Sequence, residues 1–287
     1  MAGGWPNGPE VVNATDQGTV TASSQGTAVI SSSTTNTYGS WTQLIASSAI
    51  DCCFVMVQVS CPTGVAAGNV VDIGVGASGS EKVIISAIQV LSTVSSSFVG
   101  GMTTVVFPCQ IVTGTRIAAR SQSSTASTTM YVSVILFDGA YTQGEGASGV
   151  VDTYGFVSTT TLGTAIDPGA TVNTKGSYVQ ITASTTSDLA GFILVFDMQG
   201  QENTTVDYEA LIDIATGASG SEKVLIPNMP FTGNLATGPW QPGMNPEATE
   251  FIPIAIPAST RVAIRAQSSA NTATARVFGV TMYGVRM

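Results

Sequence analysis

Two aspartates and four arginines sit at matched positions in the two halves of this 287-residue chain: Asp72, Arg116 and Arg120, then Asp213, Arg261 and Arg265. Carboxylates and guanidiniums at fixed spacing are the groups that form charge-assisted, multi-donor ion pairs. Along a strand, Arg116, Ala118 and Arg120 share one face while Ile117 and Ala119 point to the other. Asp72 shares its face with Gly74 and Gly76, which leaves open space for a long side chain to cross the sheet. Asp72 is therefore expected to pair with Arg116 or Arg120, and Asp213 with Arg261 or Arg265. A structural ion pair is the plain form of this expectation, and an intersubunit bridge the sharper one.

Other chemistry has less to stand on. The chain has no histidine, so the usual general base is missing and no Ser-His-Asp or Cys-His relay can be built. Paired carboxylates could in principle hydrolyse glycosides, but the acidic residues are scattered and the repeated ones lie near basic partners. Gly74-x-Gly76-x-x-Gly79 matches a dinucleotide-binding spacing, yet the β-branched run Lys82 to Ile85 follows where a helix should begin, and the second half carries Ala215 at the first glycine. A glycine-rich turn joining two strands is the better account, with Gly76 and Gly79 supplying positive φ. Cys52, Cys53, Cys61 and Cys109 align with Leu189, Ala190, Met198 and Ile254, so they read as small apolar core residues without disulfide or metal. Trp41 and Tyr178 hold equivalent positions and could stack on a sugar, although an aromatic opening a strand is usually core. No catalytic residue, cofactor or metal site is expected.

The elements that must position these residues come in duplicate. The run from Val71 to Ile84 returns as Ile212 to Leu225, and Thr115 to Ser124 returns as Thr260 to Ser269. Short loop insertions separate the copies, so each is one folding unit. In the first copy, β-branched runs recur near 27–31, 41–46, 52–59, 70–75, 82–90, 103–107, 115–121 and 129–137, broken by Gly, Ser, Thr and Asn. About eight short strands per copy argue for an antiparallel sandwich, the strand count of a jelly roll. The expected fold is all-β: two tandem antiparallel β-sandwich, jelly-roll-like domains from an internal duplication. The expected boundaries are an extended arm over 1–17, repeat 1 over 18–139, a Gly-rich linker over 140–154 and repeat 2 over 155–287. In the arm, Trp5, Val11 and Val12 have something to bury in a neighbour. Trp240, in a loop inserted only in the second copy, is a further interface candidate.

Charged residues are 9% of the chain and the net charge is −9. That balance offers nucleic acid no cationic surface and repels anionic lipid. The longest apolar run, Cys52 to Val59, falls far short of a bilayer span, and the N-terminus shows no secretory signal. A protein in a soluble assembly is expected, with no nucleic-acid or membrane partner.

Three segments carry a family resemblance: Gly39 to Ser47, the Asp72-Ile-Gly-Val-Gly-Ala-Ser-Gly-Ser-Glu81 block, and Thr115 to Ser123. They resemble modules of virion proteins of tailed bacteriophages, across about 250 residues of both copies. The resemblance implies a non-enzymatic β-sandwich component of the particle, made in the host bacterial cytoplasm and acting as a trimer or larger homo-oligomer. Its partners would be other virion proteins, the major capsid protein or tail proteins. Low charge and the arm favour a decoration or cement protein on the head surface. The Trp240 loop favours a tail fibre or receptor-binding protein recognising host glycans. A tandem-jelly-roll capsid protein and a lectin unrelated to virions are the remaining alternatives.

Overall fold

The computed structural model describes residues 14–17, 26–61, 67–92, 102–138, 149–197, 208–233, 247–269 and 277–287. In repeat 1, strands rich in Val, Ile and Thr alternate with turns in the order β1 (Ala14–Gln17), β2 (Thr27–Ile30), β3 (Thr42–Ile45), β4 (Cys52–Ser60), β5 (Ala67–Val75), β6 (Lys82–Ser92), β7 (Met102–Ile111), β8 (Ile117–Ser123) and β9 (Thr129–Phe137). Repeat 2 follows with β10 (Val151–Tyr154), β11 (Thr164–Ile166), β12 (Val179–Thr182), β13 (Leu189–Asp197), β14 (Tyr208–Thr216), β15 (Lys223–Gly233), β16 (Glu247–Ala248), β17 (Val262–Ser268) and β18 (Phe278–Arg286). No helix occurs among the described residues.

Strands β2 to β9 form two facing sheets, β2-β9-β4-β7 and β3-β8-β5-β6, all neighbours antiparallel. Repeat 2 uses the same connectivity, β11-β18-β13-β16 and β12-β17-β14-β15. This is the strand order of a jelly roll, and the fold is a tandem antiparallel β-sandwich. Alternation fixes what each strand buries: on β4, Val55, Val57 and Val59 are fully buried, while Phe54, Met56 and Gln58 face outward. The apolar run of β9 lies between β2 and β4, inside its sheet.

Two segments differ from expectation. Within the range read as an extended arm, residues 14–17 form β1, which extends the β2 edge by pairing with β9 from Ala14↔Phe137 to Gln17↔Val134. Within the range read as linker, residues 151–154 form β10, the counterpart of β1, pairing antiparallel with β18 and bridging in parallel to β6 at Val151↔Ile85. Val151 and Tyr154 are buried, and that burial outweighs the glycine-rich composition before them. β10 thereby fuses a sheet of each repeat into one nine-stranded sheet.

The joint is also packed. The outer face of the β13-β18 sheet lies on β6 and β7, so Ile193, Val195, Tyr283 and Val285 belong to the core of repeat 1. Tyr283 is fully buried, stacks edge-on to Phe107 at 5.6 Å and donates its hydroxyl to the Ala87 carbonyl at 2.6 Å. Gln89 Nε2 donates to Thr281 Oγ1 at 2.6 Å, and Thr153 Oγ1 to the Ser86 carbonyl at 2.7 Å. A smaller cluster of Val70, Ala87 and Leu162, flanked by Tyr38 and Phe156, closes the seam.

Candidate functional site

β5 and β6 are joined by the turn Gly76–Glu81, in which Gly76 and Gly79 take positive φ of 113° and 83°. Gly217 and Gly220 repeat this at 106° and 83°. Further along the hairpin, β6 carries an extra residue opposite Asp72, and Ala87 adopts the left-handed conformation with φ 54°. Such a bulge leaves a backbone N–H outside the ladder. Asp72 Oδ1 accepts that Ala87 N–H at 2.9 Å, and the Tyr38 hydroxyl also at 2.9 Å. The other oxygen, Oδ2, accepts Arg120 Nε at 2.9 Å and Nη2 at 2.8 Å. Arg120 stands directly across from Asp72 in the β5–β8 register, so the sheet itself aligns the pair.

The arrangement is built twice. Asp213 faces Arg265 in register and accepts its Nε at 2.9 Å. Asp213 also accepts the N–H of Asn228, another left-handed bulge residue with φ 53°, at 2.9 Å. Lys175 replaces Tyr38, its ammonium 2.8 Å from Asp213 Oδ1 and 2.9 Å from the Leu211 carbonyl. Arg116 and Arg261 go elsewhere. Arg116 Nη1 donates to Glu81 at 2.8 Å and to the Gly76 carbonyl at 3.0 Å, and its Nε donates to Gln43 at 3.0 Å. Arg261 holds Glu222, the Gly217 carbonyl and Gln180 at 3.1, 3.0 and 3.0 Å. Each of these arginines ties the β5–β6 or β14–β15 turn to the neighbouring strands.

Aromatic rings cover the guanidiniums. The Arg120 guanidinium carbon lies 4.3 Å from the Tyr38 ring centroid and 4.8 Å from that of Trp41, and Arg265 lies 4.5 Å from Tyr178. Trp41 is therefore on the outer face of the sheet rather than in the core. Its ring fills the space above Gly74 that the sequence left open.

The electrostatics favour permanent charge. Burial pushes the Asp213 carboxyl upward, but Lys175, the Asn228 N–H and Arg265 outweigh it and hold the group below the usual carboxylate range. Glu81 and Glu222 show the same balance: burial raises them, and backbone donors with Arg116 or Arg261 bring them lower still. Burial and the Asp72 carboxylate both push the Tyr38 phenol far up. None of these acids is poised to give or take a proton near neutrality. Burial likewise drives the Cys52 thiol to about 11 and that of Cys109 to about 12, where little thiolate forms. All four cysteines are buried and free of disulfides.

No family model and no curated protein matches this chain. Among solved structures it is similar to N-glycanase F (PNGase F), at 9% identity and a TM-score of 0.39 over 96% of each chain. It is also similar to the N-terminal CBM22-1–CBM22-2 tandem domain of Paenibacillus barcinonensis Xyn10C, at 11% identity and a TM-score of 0.28 over 97% of this chain and 98% of that one. Neither likeness bears on activity.

The roles of Glu81 and Glu222 escaped the sequence reading, although both recur two residues after a turn glycine and that repetition was a usable signal. Tyr38 and Lys175 left none, because the two repeats solve the same contact with different residue types. Trp5, Val11, Val12 and Trp240 lie outside the described residues. Among the described residues, a cleft of about 600 Å³ is lined by Ser31–Ser33, Tyr38–Ser40 and Thr42, and one of about 390 Å³ between β15 and β16 by Phe196, Met229, Pro230, Phe231, Glu247 and Thr249.

Proposed function

We propose that this chain is a non-enzymatic structural component of a tailed-phage virion, a decoration or cement protein seated on the head surface among other virion proteins. The observation that carries the non-enzymatic reading is that the two repeated buried carboxylates, Asp72 and Asp213, are enclosed by the same bulge N–H and guanidinium in the two repeats. Duplicated, fully engaged ion pairs act as struts that hold a sheet flat against its turn, and the work is left to surfaces. A rigid double sandwich with little surface charge suits a role in which many weak contacts, multiplied over symmetric copies, reinforce a shell.

Quantitative mass spectrometry of purified particles of the virus encoding the chain tests this. Hundreds of copies per particle are expected on an icosahedral head, and absence from particles would refute the virion assignment. A second reading, a tail protein that binds host glycans, is favoured by the hydroxyl-lined cleft at Ser31–Ser33, Tyr38–Ser40 and Thr42. A few to a few dozen copies, with glycan-array binding abolished by bulky substitution of Ser32, would support it instead.

A further inference from the structure

Inside the chain, one half of a contact is contributed by each repeat. Repeat 2 presents the outer face of its β13-β18 sheet, where Ile193 and Val195 are 1% exposed and Tyr283 and Val285 are fully buried. Repeat 1 receives it on the flank formed by β6 and β7, through Phe107, Gln89 and the core beneath. Because the two repeats share one topology and register, each also carries the half it does not use here.

On repeat 1, Met56 occupies the position of Ile193, Ile135 that of Tyr283 and Phe137 that of Val285. The outward positions of β2, β4, β7 and β9 bear no charged residue, the one acid of the sheet being Asp16 across from Ile135 on the β1 edge, and Ile30, Met102 and Val106 are 53%, 50% and 40% exposed. Val106 stands directly across from Met56. On repeat 2, Met229, Pro230 and Phe231 occupy the positions of Ile88, Gln89 and Val90, and they line the open hollow of about 390 Å³ between β15 and β16. A face without charge on β2, β4, β7 and β9 and a largely apolar hollow, which Glu247 also lines, are thus the halves that the internal joint leaves unused.

We infer that the outer face of the β9-β4-β7 sheet of repeat 1 docks on the β15–β16 flank of repeat 2 in a second copy of this chain, head to tail. This rests on the reading of the protein as an assembly component and names its self-contact. The interface is heterologous, so it closes into a ring or runs on as a chain of copies. Pro227 stands where Ser86 meets Thr153 in the internal joint and offers neither hydroxyl nor N–H, so strand pairing does not accompany the contact. Side-chain packing alone makes it weaker than the internal joint and dependent on concentration.

Sedimentation velocity over a hundredfold concentration range tests the inference with the full chain, Val106→Lys on the face and Pro230→Glu on the flank. The wild type is expected to gain mass with concentration, and each variant to remain monomeric. An equimolar mixture of the two is expected to form dimers and nothing larger, since each variant keeps the half the other lacks. Thermal midpoints report folding, and Met102→Lys repeats the face test if Val106→Lys lowers its midpoint. A wild type that stays monomeric throughout overturns the inference. So does continued association of Pro230→Glu alone, which would mean face-to-face packing, or a mixture that stays monomeric. A protein abundant on particles yet monomeric in solution would retain the proposed function and lose this contact, and self-association without presence on particles would do the reverse.

Discussion

A Cβ placed on Gly74 would lie 2.6 Å from Trp41 Cη2 and 2.9 Å from Cζ3, well inside a relaxed carbon–carbon contact. Repeat 2 has Ala215 where repeat 1 has Gly74, and there the aromatic is the smaller Tyr178. The two substitutions are a matched pair, which predicts that Gly74→Ala costs about 1–3 kcal/mol as overpacking and that Trp41→Tyr recovers part of the loss. A double-mutant cycle by urea denaturation would read a coupling above about 0.5 kcal/mol, whereas strictly additive effects would contradict the account. Asp72 makes a second residue-scale case. Asp72→Asn keeps an acceptor for the Ala87 N–H but removes the charge facing Arg120, and a loss of about 2–3 kcal/mol is expected in the same measurement. Acid sensitivity follows from the neighbours. Asp213 is held low by Lys175 and Arg265 against its burial, and Asp152 by Arg286, which grips both its oxygens at 2.9 and 2.6 Å, and by Thr186. Carboxyls with depressed folded pKa values stabilise above the unfolded value near about 4 and lose that contribution as pH falls through the folded one. With no histidine in the chain, the urea midpoint should be level between about pH 5 and pH 8 and drop below about pH 4. The Asp72–Arg120 and Asp213–Arg265 pairings were readable in sequence as a choice between two arginines for each aspartate, because strand alternation limits faces but not which cross-strand neighbour stands opposite.

At the scale of elements, the bulge explains why an aspartate is needed in the middle of a buried strand. The extra residue on β6 or β15 takes the left-handed conformation, and its N–H would be orphaned without Asp72 or Asp213. Asn228, exposed and at φ 53°, tolerates that conformation better than a branched residue would. Asn228→Val is expected to cost about 1–2 kcal/mol while Asn228→Gly stays within about 0.5 kcal/mol of the parent, as read from denaturation midpoints; equal effects of the two would exclude backbone strain as the cause. The strand runs of repeat 1 were legible from β-branched stretches set between turn residues, several of which alternate over a buried face, as Val55, Val57 and Val59 do on β4 and Val132, Val134 and Leu136 on β9. β1 and β10 were not. Each pairs with a strand more than a hundred residues later, so its stabilisation comes from partners that local composition does not encode. The two-residue β16 was hidden for the same reason.

At the scale of the whole molecule, duplication reads as two units in tandem, yet the structure makes them one body. Equivalent outer faces are apolar in both repeats, with Met56 for Ile193 and Ile135 for Tyr283, so sequence gives no sign that one of them is buried against the other repeat. The core of repeat 1 includes five buried side chains of repeat 2, Val151, Ile193, Val195, Tyr283 and Val285, and β10 carries hydrogen bonds to both sheets. Unfolding repeat 2 would expose the flank of repeat 1 that Tyr283 covers, and neither repeat can be lost without unpacking the other. One calorimetric transition is therefore expected, with van't Hoff and calorimetric enthalpies in agreement. Tyr283→Ala removes the ring against Phe107 and the donor to the Ala87 carbonyl, and should cost about 3–5 kcal/mol. Because that loss falls on the joint rather than inside either sandwich, it should also uncouple the repeats and resolve a second, lower transition. Tyr283→Phe keeps the ring, strands only the Ala87 carbonyl, and should cost about 1–3 kcal/mol with the single transition intact. Two resolved transitions in the parent protein would mean that the continuous sheet and shared core do not couple the repeats, and the rigid-body account would fall with them.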